Sequence, residues 1–168
     1  MKNVVFIPNI DLGDGRNNSY HYSISSWEKF CEKNDCELLV WDELLCPIEQ
    51  MKITWQRWYV HDILESNNVE YDNIFMVDVD TMIHWNAPNI FEECANGKFR
   101  ACVDNDNLGW LKESIEGYQH MFSDTKVDWE TYFNCGIILM NKGHKDLCKT
   151  ITSFYETNEQ EILDLQHK

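Results

Sequence analysis

Short apolar runs alternate along the chain with segments in which apolar residues recur at helical spacing. The apolar runs predict five strands, at residues 4–8, 37–41, 73–77, 99–103 and 133–140. Helical spacing predicts helices after the first two strands and again from about His144, with a break near Asn158. Helices that connect successive strands usually make those strands parallel. We therefore predict an α/β fold, a mostly parallel sheet flanked by helices, in a single domain over residues 1–168.

The composition indicates a folded domain of ordinary size. Of the 168 residues, 43% are hydrophobic and 13% aromatic, which is enough apolar material to bury a core without disulfides. The seven cysteines are scattered singly, so we interpret them as reduced thiols. No apolar run is long enough to cross a bilayer, and the first one ends already at Pro8. We expect a cytoplasmic protein with no transmembrane segment.

The charge of the chain limits its partners. A formal net charge of -15, with no visible basic patch, repels the phosphate backbone of nucleic acids, so we expect no nucleic-acid partner. An anionic ligand would need a bound cation or backbone N–H groups to offset this acidity.

Two carboxylates follow the third predicted strand. Asp78 and Asp80 come directly after residues 73–77, and ligands of such sheets collect at the carboxyl ends of parallel strands. Residues two apart on an extended chain point to the same side, so this pair can share one cation. Mn²⁺ and Mg²⁺ prefer oxygen ligands, and Mg²⁺ is usually held by one or two carboxylates with substrate phosphates. We predict a Mn²⁺ or Mg²⁺ site at Asp78 and Asp80; the alternative is that they only end a strand and begin a turn.

Three segments of the chain, taken together, carry a resemblance. They are YDNIFMVDVDTM at 71–82, FNCGIILMN at 133–141 and EQEILD at 159–164. In order and approximate spacing they are similar to the D-x-D, F-N-[AS]-G and D-Q-D-x-L-N segments of GT-A glycosyltransferases. The resemblance is to family 8, the glycogenin and lipopolysaccharide-galactosyltransferase group, and it covers nearly the whole chain.

This resemblance implies a Rossmann-like GT-A domain and an activity. The enzyme would transfer a hexose from a nucleoside-diphosphate sugar, with a UDP-sugar favoured, to a hydroxyl of a saccharide, a lipid-linked glycan or a protein. Family 8 implies retention of the anomeric configuration. The departures are that Cys135 replaces the small residue, Glu159 replaces Asp, and the family's C-terminal H-x-x-G-x-K segment with a third metal ligand is missing before Lys168. His167 lacks the following Gly and Lys, so we do not assign it that role; the domain either lacks a C-terminal segment or relies on two carboxylates and water.

The resemblance also implies roles for individual residues. Glu159 and Gln160 would be catalytic, because an amide or carboxylate near the anomeric carbon stabilises the positive charge that develops there. For these two residues, exposure at the start of a final helix is the alternative. Arg57 has the alternative of a solvated helix charge or a surface ion pair, and Gly136 that of relieving crowding between strand and helix. The residues that would bind the donor are Pro8, Asn9, Ile10, Asp11, Arg57, Asp104, Asn134 and Gly136.

Two other functions compete with glycosyl transfer. Haloacid-dehalogenase-like phosphatases carry D-x-D-x-[TV] after an apolar strand, with the first Asp as a nucleophile beside Mg²⁺. Asp78 would have that role here, but Met82 occupies the last position and the motif follows the third strand instead of lying near the N-terminus. The other alternative is a non-catalytic protein that binds a nucleotide sugar without turnover.

Overall fold

The computed structural model describes residues 1–104, 107–122 and 124–166, and in these residues five strands form one open sheet. The order of the strands across the sheet is β2-β1-β3-β5-β4. β1 pairs in parallel with β2 and β3, whereas β5 runs antiparallel to both of its neighbours, β3 and β4. The strands are β1 at Asn3–Pro8, β2 at Glu37–Trp41, β3 at Asn73–Val77, β4 at Arg100–Val103 and β5 at Phe133–Asn141.

The sheet is mixed, so our prediction of a mostly parallel sheet is wrong. The five strand positions are confirmed to within one residue at each end. The direction of β5 is what differs. Its central residues, from Ile138 to Met140, are buried, and a strand covered on both faces is equally apolar whichever way it runs. The apolar pattern therefore reveals a strand but leaves its direction to the tertiary pairing.

Helices cover the sheet, and one of them was not predicted. The predicted second helix, residues 53–66, is divided by a 3₁₀ turn at Arg57–Tyr59, and the long C-terminal helix has non-helical angles at Asn158, which confirms the predicted break. The helix that follows β4 escaped prediction. The helices are α1 at Tyr20–Asn34, α2 at Ile53–Gln56, α3 at Val60–Ser66, α4 at Leu108–Tyr118 and α5 at Lys145–Gln166.

The core lies on both faces of the central strands. One face of β1 and β3, with Phe6 and Met76, packs under residues from α3 and α5, including Leu64 and Cys148. The other face packs mainly against α1 and Phe91. Every residue of β3 is buried, which explains its continuous apolar run and sets the site after Val77 on a rigid support. None of the helices in the described ranges has both the length and the apolarity needed to cross a membrane.

A buried histidine links α3 to α5 through a chain of hydrogen bonds. His61 Nδ1 lies 2.9 Å from the Tyr71 hydroxyl, which donates to Glu65 at 3.1 Å, and Lys145 donates to both carboxylate oxygens of Glu65. Because the tyrosine proton goes to Glu65, His61 Nδ1 carries the proton it donates to Tyr71. The other ring nitrogen, Nε2, is buried and has no hydrogen-bond partner among the residues that the structure describes. Burial, helped by the charge of Lys145, lowers the pKa of His61 to about 4.

This lowered pKa predicts that acid destabilises the protein through His61. The unfolded chain takes up the histidine proton near pH 6.5, whereas the folded protein resists it until about pH 4, so stability present above pH 6.5 is lost as the pH falls. The expected loss between pH 7.5 and pH 5 is about 2 kcal/mol. Urea unfolding at both pH values measures it. The His61→Asn variant keeps a polar atom towards Tyr71 without titrating, and it should lose about 2 kcal/mol less than the wild type. Equal losses in both proteins would contradict the prediction.

Candidate functional site

An open cleft of about 160 Å³ lies beyond the ends of β1 and β3. Parallel strands β1 and β3 end at the same edge of the sheet, and this brings together segments that are far apart in sequence. Five residues predicted to bind the donor or the metal line the cleft: Pro8, Ile10, Arg57, Asp78 and Asp80.

The loop after β1 forms one wall of the cleft. Asn9 donates its backbone N–H to the Trp41 carbonyl at 2.7 Å, which ties the loop to the end of β2. The Asn9 side chain accepts a hydrogen bond from Asn17 at 2.7 Å, and Asp11 accepts one from the Gly13 N–H at 2.8 Å. The side-chain oxygens of Asn9 and Asp11 therefore shape the loop, and neither residue lines the cleft.

The chain turns directly after Asp78. Thr81 donates both its backbone N–H, at 3.1 Å, and its hydroxyl, at 2.6 Å, to the Asp78 carbonyl. Val79 and Asp80 lie in this turn, so the extended chain that we assumed for Asp78 and Asp80 is wrong. Both side chains line the cleft nevertheless, with Asp78 half-buried and Asp80 exposed. The turn, and not strand alternation, brings the two carboxylates to one cavity.

Arg57 is buried behind Asp78. Its side chain is only 7% exposed; Nη2 donates to Asp78 Oδ1, and Nη1 donates to the Cys135 carbonyl at 2.7 Å. Its Nε atom is buried and finds no hydrogen-bond partner in the described part of the chain. The alternative that Arg57 is a solvated helix charge is therefore wrong. Its guanidinium holds one oxygen of Asp78 in place and carries a fixed positive charge at the base of the cleft.

A β-bulge in β5 lies next to Asp78. Ala101 pairs with Ile138, but the next residue of β4, Cys102, pairs with Asn134, so residues 135–137 have no partners on β4. The bulge turns the Cys135 carbonyl towards Arg57, and the Gly136 carbonyl accepts the Asp78 N–H at 2.8 Å.

Gly136 is required by this close approach. A Cβ atom at this position would overlap Asp78 Oδ2 and lie 2.7 Å from Asn134 Oδ1. Asn134 Oδ1 itself accepts the Gly136 N–H at 2.5 Å. The atoms that exclude a side chain at Gly136 thus belong to Asp78 and Asn134, and not to a packed helix.

Asp104 is at the same edge of the sheet but outside the cleft. β4 runs parallel to β3, so its end at Val103 lies at the edge where Asp78 is found. Two strand spacings separate β4 from β3, about 10 Å. The Asp104 N–H donates to the Tyr132 carbonyl at 2.9 Å, and this bond continues the pairing of β4 with the start of β5.

The predicted catalytic pair lies elsewhere. Glu159 and Gln160 are on α5, and neither lines the cleft around Asp78. Glu159 faces a separate cleft with Met51 and Tyr59. Gln160 is exposed and donates to Asp164 of the same helix at 2.9 Å. In this structure the two residues predicted to be catalytic are not assembled with the residues predicted to bind the metal.

The carboxylates of the cleft fit a cation only in part. In the described portion of the chain, no three His, Cys, Asp or Glu side chains come together as a metal cage. A Mn²⁺ or Mg²⁺ ion held by Asp78 and Asp80 would therefore take its remaining ligands from water and from phosphates, as Mg²⁺ commonly does.

Seven residues that line the cleft were not predicted as site residues, and four of them have polar side chains. These four lie in the loop after β1, in the 3₁₀ turn that follows it and at the first position of α1. Arg16 donates to Asp14 at 2.6 Å, and its hydrogen bonds lower the pKa of the Asp14 carboxyl. Arg16 is thus a second arginine of the cleft, in addition to Arg57, and its guanidinium is suited to binding a phosphate. No sequence motif pointed to the four residues, which are Asp14, Arg16, Asn17 and Tyr20.

Comparison with known proteins supports the fold. No protein-family model matches the chain, and no curated protein matches it. A solved structure described as a glycosyltransferase involved in the glycosylation of the major capsid of PBCV-1 is similar, with a TM-score of 0.61 and 10% sequence identity. The similarity covers 92% of this chain and 66% of that one, slightly less than two thirds of its length. The chain therefore has a glycosyltransferase-like α/β fold with a mixed sheet.

Proposed function

We propose that the protein is a metal-dependent glycosyltransferase that moves a hexose from a nucleoside-diphosphate sugar, most simply a UDP-sugar, to a hydroxyl acceptor. The observation that carries this proposal is the meeting of Asp78, Asp80 and Arg57 in one cleft beyond β1 and β3. The cleft combines ligands for a divalent cation with a fixed guanidinium, and a diphosphate needs both kinds of partner in so acidic a protein.

Three side chains and one loop of the cleft have roles in the proposed reaction. Asp78 and Asp80 would hold Mn²⁺ or Mg²⁺, which stabilises the negative charge of the leaving diphosphate. Arg57 keeps Asp78 oriented, and the loop from Pro8 to Ile10 provides an apolar wall for the nucleoside. In the transfer, the acceptor oxygen forms a bond to the anomeric carbon while the bond from that carbon to the diphosphate oxygen breaks. The hydroxyl proton leaves with the nucleoside diphosphate.

Calorimetric titration tests donor binding directly. UDP, GDP, UDP-glucose and UDP-galactose are titrated into the protein with Mn²⁺ and again with EDTA. We expect one nucleotide series to bind with Mn²⁺ and to lose most of its affinity with EDTA, because two carboxylates alone repel a diphosphate. Failure of every nucleotide to bind in Mn²⁺ would contradict the proposed function.

A non-catalytic nucleotide-sugar-binding protein is the second candidate. The position of Glu159 and Gln160, away from the cleft, favours it, since these residues were predicted to act at the anomeric carbon. The two candidates differ in turnover. Release of UDP from a bound UDP-sugar, measured with a mixture of saccharide acceptors, supports the transferase; tight binding with no release supports the non-catalytic protein. The glycosyltransferase-like fold favours both over the phosphatase hypothesis.

A further inference from the structure

A second cleft, of about 370 Å³, lies on the α5 side of the sheet. Leu45 and Met51 provide apolar surface, and the half-buried Tyr59 lines the cleft together with Tyr155, which is only 1% exposed. This volume lies within the usual range for small-molecule sites, which combine apolar walls with a few polar groups. Glu159 is one of those polar groups.

One segment separates the second cleft from the cleft around Asp78. Ile53 and Arg57 line the first cleft, whereas Met51 and Tyr59 line the second. Residues 51–59 therefore form a common wall with a different cavity on each side. A ligand with groups in both cavities would have to cross the rim of this wall.

The hydrogen bonds of the second cleft do not involve the carboxylate of Glu159. Tyr59 donates its hydroxyl to Glu156 at 2.5 Å, and Tyr155 donates to the Gln50 carbonyl at 2.6 Å. The Glu159 carboxylate, in contrast, forms no hydrogen bond or ion pair with any part of the chain that the structure describes. Cys46 lines the same cleft, and the pKa of its thiol is raised. Burial is the larger cause, and the negative charge of Glu159 is the smaller one.

We propose that the second cleft binds a saccharide ring of the acceptor and that the free Glu159 carboxylate accepts hydrogen bonds from its hydroxyls. A sugar has a C–H face, which can pack on the accessible ring of Tyr59, and it has hydroxyl groups, two of which one carboxylate can bind. The identification of this saccharide as an acceptor rests on the proposed function. The binding of a saccharide in the cleft is independent of that function.

An apolar ligand fits the cleft less well. An acyl chain would bury the Glu159 carboxylate without a partner, which is costly. Because the wall at residues 51–59 separates the cavities, the ring bound here is not the ring that receives the hexose. The proposal gives Glu159 a role in positioning the acceptor, in place of the role at the anomeric carbon.

The test is titration of neutral saccharides in the absence of nucleotide. Maltose, lactose and cellobiose are added to the ¹⁵N-labelled protein, and amide shifts of residues 45–51 and 155–159 are followed by NMR. We expect saturable shifts with at least one of the three. Glu159→Gln, which keeps the shape but not the charge, should weaken that binding about tenfold. Glu161→Gln is the matched control, because Glu161 bonds His120 outside the cleft, and it should bind as the wild type does.

The possible results distinguish failure of the saccharide proposal from failure of the proposed glycosyltransferase function. The absence of shifts with all three saccharides overturns the proposal, as does equal binding by the wild type and Glu159→Gln when both have the same thermal unfolding midpoint. Shifts with putrescine or hexanol but with no saccharide also overturn it, in favour of a cation or an apolar ligand. Saccharide binding in a protein that binds no nucleotide retains the proposal and removes the proposed glycosyltransferase function.

Discussion

Replacement of Asp80 by asparagine is expected to reduce Mn²⁺-dependent nucleotide binding about 100-fold, with little change in stability. Asp80 is exposed in the turn after Asp78 and has no ion pair among the described residues, so the loss of its charge affects mainly the cation. Asp78→Asn should abolish the same binding and also destabilise the fold. It removes the ion-pair partner of the buried Arg57 guanidinium, at a cost of about 1–3 kcal/mol.

Two measurements separate these effects. Calorimetry with Mn²⁺ and the nucleotide that binds the wild type gives the loss of affinity, and urea unfolding gives the loss of stability. Asp35→Asn is the control, since Asp35 is exposed at the end of α1 with a positive φ that asparagine tolerates, and it removes the same charge far from the cleft. Unchanged nucleotide affinity in Asp80→Asn would refute a shared metal site, and unchanged stability in Asp78→Asn would refute the structural importance of its pairing with Arg57.

The second large effect is expected from Gly136→Ala. The added Cβ overlaps Asp78 Oδ2 and lies 2.7 Å from Asn134 Oδ1, so the Asp78 side chain must move from its place beside Arg57. Because side-chain ends and not backbone atoms are displaced, the fold should survive with a loss of about 1–2 kcal/mol. Mn²⁺-dependent nucleotide affinity should fall at least tenfold, since a ligand displaced by about 1 Å no longer fits the cation.

Gly117→Ala is the matched control for this variant. Gly117 lies in α4, where a Cβ would meet no atom within 4 Å, so alanine should stabilise the helix by about 0.5–1 kcal/mol and leave binding unchanged. Calorimetry and urea unfolding of both variants complete the test. Full nucleotide affinity in a folded Gly136→Ala protein would show that the position of Asp78 against the bulge is unimportant for the site.

Part of the candidate site was predictable because it depends on local order along the chain. The apolar run of residues 73–77 identified a buried strand, and Asp78 and Asp80 followed it directly. The parallel pairing of β1 with β3 then places the loop after Pro8 and these carboxylates at one edge. Even here the local geometry differed, because a turn at Asp80 replaces the assumed extended chain.

The rest of the site depends on contacts between distant residues. Arg57 is 21 residues from Asp78 in sequence and 78 residues from Cys135. The spacing of hydrophobic residues along the chain predicts neither contact. The need for glycine at 136 arises from Asp78, which directly follows a neighbouring strand. Glu159 resembled a catalytic residue by its neighbours in sequence, but the path of α5 carries it to the other side of residues 51–59.

The amino-acid sequence by itself determined where the strands lie, which of them are buried and where the acidic pair follows, because these features depend on side chains a few positions apart. Only the tertiary structure decided the direction of β5, the bulge at residues 135–137, the burial of Arg57 and the separation of the two clefts. These depend on which strands and helices meet, and the packing energy of the whole domain selects that arrangement.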